Sequence, residues 1–357
     1  VRVINNQVRM AEWLPLLEAA SWVGIDTEAD SLHAYPEKLC LLQIAIPKSN
    51  VLVDPLAGVD LGPMLRVLGR HELVLHGGDY DLRMLRKDLN FVPGRIFDTM
   101  LAARLLGVRE FGLTNLVNRF LGVTLEKGPQ KANWARRPLT PRMAEYAIKD
   151  VAYLKPLSDL LRTQLAEKGR LEWHQEMCER LIAENSHVPP PDPGMVWRIK
   201  GSRHLPPRAL AVLRELWNWR EGEAIAANRP PYFILSSEVM IGIAAASLDP
   251  GRPLEPLIPR HLTPRRRRGV VEAVARGRKA HPLPPVVRVR APGATEASKR
   301  RYAELERIRD KRGAELDMDA TLIASRATLV ALSHDWDKSA PELMRWQRAL
   351  LAPPGLS

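Results

Sequence analysis

The chain has 357 residues, 45% of them hydrophobic and 26% charged, with a net charge of +12. That length exceeds what a single core usually holds, and that composition excludes a disordered chain. Two cysteines, Cys40 and Cys178, exclude a disulfide framework and fit a reducing cytoplasm, while no apolar run approaches the roughly 18 residues of a membrane span and the first ten residues lack a signal-peptide core.

The charge is uneven. Residues 1–180 hold 24 basic against 22 acidic side chains, and residues 181–357 hold 29 against 19. A basic second half predicts a polyanion partner. In chain order, apolar spacing predicts a helix over 9–20 and a strand over 22–26, then strands over 39–46 and 51–54. A helix over 62–68, a strand over 73–76, and helices over 80–87, 99–106 and 141–164 follow. Strands first, then strand and helix alternating, indicate an α/β domain with a mixed sheet. The stretch NSHVPPPDPG at 185–194 cannot continue a helix and reads as a semi-rigid linker. Leu210, Leu213, Leu216, Trp217 and Ile225 then recur at helical spacing within 205–227. A second breaker-rich stretch, HPLPPVVRVRAPG, occupies 281–293. Three blocks result: 1–184, 200–280 and 294–357, the last two purely helical in pattern.

The first block carries the chemistry. Asp26-Thr27-Glu28 closes the first strand, and residues i and i+2 of a strand share a face, so both carboxylates point one way. Alone, an Asp-x-Glu pair arises about once by chance in such a chain. Asp81 follows Gly77-Gly78 and falls in the first turn of a helix, where an acid also complements the helix dipole. Tyr146 and Asp150 are four residues apart on one helix face, and Ala147, Ile148, Val151 and Ala152 make that helix largely apolar. Together these are four carboxylates and a phenol. Hard oxygen ligands suit Mg²⁺ or Mn²⁺ rather than zinc. Two such ions ~3.5–4 Å apart activate a water and stabilise the departing oxygen of a phosphodiester. Clustered carboxylates without cations repel and raise one another's pKa.

The segments WVGIDTE, YPEKLCLLQIAI, LVLHGGDYDLRMLRKD, IFDTMLAARLLG and WARRPLTPRMAEYAIKDVAYL occur in that order over roughly residues 20–165. The series resembles the ribonuclease D family, the branch of the DEDD exonucleases whose third motif carries tyrosine. The resemblance implies an RNase H-like α/β domain with a mixed sheet and a 3′→5′ exonuclease using two divalent cations, Mg²⁺ or Mn²⁺. It assigns Asp26, Glu28, Asp81 and Asp150 as metal ligands and Tyr146 as the residue that orients the attacking water. Thr27 and Glu28 would sit near the terminal 3′-hydroxyl. The chain departs from the family pattern at Asn133, where relatives usually have Asp before Trp134, and at Ala29-Asp30, where many have a larger residue. Neither touches the five site positions. The second block resembles the HRDC domain through Trp219-Arg220, Ala224, Asn228, Pro230-Pro231 and Ile234-Leu235. The third resembles it more faintly, so one or two all-α HRDC-type domains are expected.

The expected function is a cytoplasmic exoribonuclease that removes 5′-mononucleotides from the 3′ ends of tRNA precursors and small structured RNAs, with no membrane partner. A DNA 3′→5′ exonuclease and a catalytically silent RNA-binding protein are the alternatives. A helicase is disfavoured because the chain has no GxxxxGK[ST] loop. Asp98 is read as the cap of the helix that starts at Thr99, and His76 as structural. Arg136-Arg137 is either a phosphate contact or a solvated loop. Trp217 and Trp219 are core residues, and Arg265, Arg266, Arg267 and Arg268 form a phosphate-contacting run. A fragment ending near Glu184 is expected to keep the sheet and all five site residues.

Overall fold

The computed structural model describes residues 2–126, 128–187, 190, 192–249, 251–285, 293 and 295–352. They form two compact units: Val1–Ala29 with Leu39–Val188 and Pro292–Ser357, and Asp30–Lys38 with Pro189–Ala291. The breaker-rich stretches at 185–194 and 281–293 lie partly outside the described residues.

In the first unit, the chain begins with β1 (Arg2–Ile4) and α1 (Gln7–Glu18), whose first turn is closed by the Asn6 side chain accepting the Arg9 N–H at 2.9 Å. Then come β2 (Val23–Ala29), β3 (Leu39–Ile46), β4 (Ser49–Val53), α2 (Gly62–Leu68), β5 (Glu72–Leu75), α3 (Asp79–Leu89), β6 (Arg95–Asp98), α4 (Thr99–Leu105) and α5 (Leu113–Leu121). The six strands make one sheet in the order β1-β4-β3-β2-β5-β6. β3 runs antiparallel to both of its neighbours, and the other pairs are parallel, so the sheet is mixed as expected.

The alternation of side chains divides the sheet into two faces. Ile25, Leu42, Ile44, Val51, Val53, Leu73 and Leu75 face a core completed by Met10, Trp13 and Leu17 of α1, Met64 of α2, and Leu82 and Leu85 of α3. Gly24, Asp26, Glu28, Gln43, Ala45 and Leu52 lie on the other face, beneath α6 (Pro141–Ala152) and α7 (Leu154–Glu167). The expected single helix over 141–164 is thus two helices meeting at Tyr153. Pro156 explains the break: its ring would strike the carbonyl four residues back, at Ala152. α8 (Leu171–Ser186) follows and carries helix two residues past the expected end of the block.

The chain's last described helices belong to this same unit. They are α13 (Glu296–Glu315), α14 (Arg326–His334), α15 (Trp336–Ser339) and α16 (Arg345–Leu351), the four intervening α-helices lying in the second unit. Leu305, Leu322, Leu329, Trp346 and Leu351 are buried in one core with Phe97, Leu105, Leu154 and Leu161. Trp346 stacks on Trp173 of α8 with ring centroids 5.0 Å apart. The buried Arg170 donates to the carbonyls of Leu105 and Leu316, each at 2.5 Å. Glu176 takes both the backbone N–H and the guanidinium of Arg345. A fragment ending near Glu184 keeps the strands and the five site residues, as expected, but loses this part of the core.

The second unit holds α9 (Pro207–Ala227), α10 (Pro231–Ile234), α11 (Ser237–Ala246) and α12 (Pro264–Lys279) around Leu210, Leu213, Leu216, Met240, Ile243, Val270 and Val274. Trp217 and Trp219 pack against that core. α9 and α12 touch closely because Gly277 has no side chain: a Cβ there would lie 2.4 Å from the Val212 Cα. Within the arginine run, Arg265 and Arg266 pair with Glu223, and Arg267 donates to the Ile258 and Pro259 carbonyls. Three of the four guanidiniums therefore hold the unit's own structure. Among the described residues, no helix is long and apolar enough to cross a membrane.

Candidate active site

The site forms where β2 ends. Alternation along the strand sends Asp26 and Glu28 to the face that α6 covers. α6 starts at Thr140, whose side chain accepts the Met143 N–H at 3.2 Å, with Pro141 in its first turn. Its inner residues Met143 and Ala147 bury against Cys40, Leu41 and Leu52. That contact fixes the helix rotation and brings Tyr146 and Asp150 over the strand end. A ligand atom from each of Asp26, Glu28 and Asp150 can lie within 4.8 Å of the others. These three and Tyr146 line a cleft of about 1010 Å³ that also takes in His76, Asn115, Gln130, Lys131 and Lys149.

Asp81 approaches from the other side. It sits in the first turn of α3, which packs on the opposite face of the sheet, and it does not line the cleft. Its Oδ1 accepts the Thr27 hydroxyl at 2.5 Å. It is still close enough for its charge to raise the pKa of both Asp26 and Glu28.

Burial is the largest cause of every shift in the cluster. It pushes the Asp26 carboxyl well above the usual carboxylate range, with help from Asp81, Asp150 and Glu28. Burial and the charges of Asp150 and Asp81 push Glu28 up to about 9. Burial raises Asp150 to about 7 against the opposing hydrogen bond from Tyr146, and Asp81 to about 6 against that from Thr27. The Tyr146 phenol is pushed up by burial and by Asp150, so it stays protonated at neutral pH. Three converging carboxylates that resist ionising together are a donor set suited to a divalent cation, whose charge would remove the repulsion.

The supporting residues are equally specific. Asp98 is buried, and its two oxygens accept four backbone N–H groups: Gly77, Gly78, Met100 and Leu101, at 2.8–3.1 Å. It therefore caps α4, as expected, and also pins the glycine turn that leads to Asp81. His76 lines the cleft. Its Nδ1 lies 2.9 Å from the Thr99 hydroxyl, which itself donates to the Leu75 carbonyl. The ring thus donates through Nδ1, and burial lowers its pKa and keeps it neutral. Arg137 is structural: it forks onto Asp54 at 2.6 and 2.7 Å and donates to the Cys40 and Trp134 carbonyls. Arg136 is exposed.

Sequence reasoning misses two residues here. Gln130 hydrogen-bonds Tyr146 from the loop before α6. Gly128 lies flat on the same ring, and a Cβ there would fall 1.6 Å from Tyr146 Cδ2. The only signal for either is the turn dipeptide Gly128-Pro129, which says nothing of a tyrosine nearby.

Comparison with known proteins places this arrangement. A family model described as 3′-5′ exonuclease matches residues 1–166, and an HRDC domain model matches 209–248. The chain is 36% identical over 251 residues to a ribonuclease D of Zymomonas mobilis, spanning 68% of this chain and 63% of that protein. It is 33% identical over 341 residues to a ribonuclease D of Xanthomonas oryzae, spanning 92% of this chain and 90% of that protein. Among solved structures, it resembles Escherichia coli RNase D, described as an exoribonuclease involved in structured RNA processing, with a TM-score of 0.72 and 26% identity over 95% of this chain and 91% of that one. The chain belongs to the ribonuclease D family and is a 3′→5′ exoribonuclease.

Proposed function

We propose that hydrolysis takes place between β2 and α6, with Asp26, Glu28, Asp150 and, from across the strand end, Asp81 holding two divalent cations, Mg²⁺ or Mn²⁺. The observation that carries this reading is the convergence of three carboxylates beside Tyr146 in one cleft. When bound, the cations supply positive charge to the scissile phosphate and make water acidic enough to attack it. Tyr146 stays a neutral phenol and donates a hydrogen bond to Asp150, whose pKa that bond lowers. Its oxygen lone pair is left to accept from the attacking water and orient it. Gly128 and Gln130 hold the ring in that position. The water oxygen bonds to phosphorus, the 3′-oxygen of the preceding nucleotide leaves with a proton, and a 5′-mononucleotide is released.

The proposed substrates are tRNA precursors and small structured RNAs in the cytoplasm. The basic excess of the second half supports a polyanion. The matched HRDC region would add affinity rather than chemistry, and so would the 294–357 block as a second, degenerate copy, whose helices also complete the core of the nuclease unit. The test is a 5′-labelled short RNA, alongside DNA of the same sequence, incubated with Mg²⁺ or Mn²⁺. Stepwise shortening of the RNA with 5′-mononucleotide release supports the reading. Equal or faster loss of the DNA would favour a deoxyribonuclease, and endonucleolytic fragments would exclude the mechanism.

A further inference from the structure

Gln43 occupies the middle of β3, the strand hydrogen-bonded on both sides at the centre of the sheet. It is completely buried, and neither its Oε1 nor its Nε2 has a hydrogen-bond partner among the described residues. Its neighbours on that face are apolar: Leu41 and Ala45 along the strand, and Leu52 opposite on β4. The exception is Asp26, which lies directly opposite Gln43 in the β2–β3 register. Opposed residues of an antiparallel pair have Cβ atoms roughly 4.5–5.5 Å apart on the same face, within reach of a carboxamide. A buried amide without a partner costs stability that leucine or methionine would not. The position is therefore poorly explained as core alone.

We propose that Gln43, unpaired in the cation-free fold, is a positioning residue for Asp26 in the cation-bound state: with Asp26 ionised around a cation, the carboxamide N–H turns to donate to one carboxylate oxygen and fixes the rotamer in which the other oxygen meets Glu28 and Asp150. This rests on reading Asp26 as a cation ligand. A carboxylate at the end of two rotatable bonds has more than one arrangement open to it. A donor anchored in the centre of the sheet holds the ionised carboxylate in one of those arrangements, and the amide gains a partner when the cation binds. Glu28 has no such support, because the residue opposite it is Leu41. The two ligands of one strand thus differ: one is held from below and the other is free to adjust to substrate.

The experiment uses the full chain with Gln43→Met, and Gln43→Leu as a second apolar replacement. Thermal unfolding is followed after chelation and then across a Mn²⁺ titration, and Mn²⁺ binding is measured by calorimetry without RNA. The metal-free Tm of at least one variant is expected to match or exceed that of the parent, by roughly 2–4 °C where the amide is unsatisfied. The Mn²⁺ dissociation constant is expected to rise about 10–100-fold, the usual effect of losing a partner behind a metal ligand. A Mn²⁺ affinity within twofold of the parent in both variants overturns the proposal. So does a clear fall in metal-free Tm in both, which would mark the amide as bonded within the fold. Asp26→Asn, run alongside, separates the two layers. An unchanged Mn²⁺ response there overturns the ligand assignment and the role of Gln43 with it. A lost response there beside a normal one in the Gln43 variants overturns the role of Gln43 alone.

Discussion

At the residue scale, the proposed role of the carboxylate cluster predicts both activity and pH response. Asp26→Asn and Asp150→Asn would each remove a proposed ligand and should lower turnover by orders of magnitude while the fold survives. Assay of purified, folded variants checks this, and near-normal rates would refute the assignment. Tyr146→Phe keeps the ring and loses the hydroxyl, so it should lower kcat with less effect on KM; a change in KM alone would make Tyr146 a substrate contact. The cluster's raised pKa values also predict how metal-free stability varies with pH. Glu28 at about 9, Asp150 at about 7 and Asp81 at about 6 keep protons in the folded state that the unfolded chain has already released. Stability therefore falls as pH rises from the ordinary carboxylate range, with the loss complete only above about 9. The metal-free Tm should drop between pH 5 and pH 9, less steeply in Asp150→Asn and least steeply with Mn²⁺ present. A flat profile in chelator would show that the cluster does not repel.

At the element scale, strongly patterned segments are legible and short or interrupted ones are not. β3 reads as a strand because seven of its eight residues are apolar. β1 and β6 are three and four residues long and leave no periodicity to detect. The division of α6 from α7 is written in Pro156, yet an apolar face continuing across the break hides it. The five site residues are legible because they lie in recognisable motifs, but their faces are not. That Asp81 meets the cluster from behind Thr27 depends on α3 packing under the sheet, which no local pattern encodes. Two predictions follow from the loops that support the site. Gly128→Ala must displace the loop or the Tyr146 ring, so it should depress kcat with little change in Tm. Asp98→Ala strands four backbone N–H groups at the glycine turn and at the start of α4. It should cost on the order of 2–4 kcal/mol, read as a lowered Tm and a weaker hold on Asp81.

At the scale of the whole molecule, the order of segments in the sequence is not the order of packing. The chain passes through the nuclease body, leaves it for a helical unit, and returns to complete the core it left. Ending the chain after Ser186 should therefore lower the Tm of the nuclease body by roughly 10 °C or more, since several large apolar side chains lose their cover together. Circular dichroism of the fragment against the full chain checks this, and equal melting would show that the returning helices only decorate the surface. The seat of Arg170 gives this arrangement a temporal meaning. Its guanidinium is sandwiched between a carbonyl of α4 and one beyond α13, made well over a hundred residues apart. During synthesis, the first of these acceptors emerges long before the second, and α8 must wait with an incompletely satisfied cation and an uncovered Trp173. The proposed catalytic acids leave the ribosome early, but the core of their unit is completed only once the returning helices have been made. A stalled or clipped nascent chain thus carries every group proposed to cut RNA and lacks the helices that complete the core of their unit.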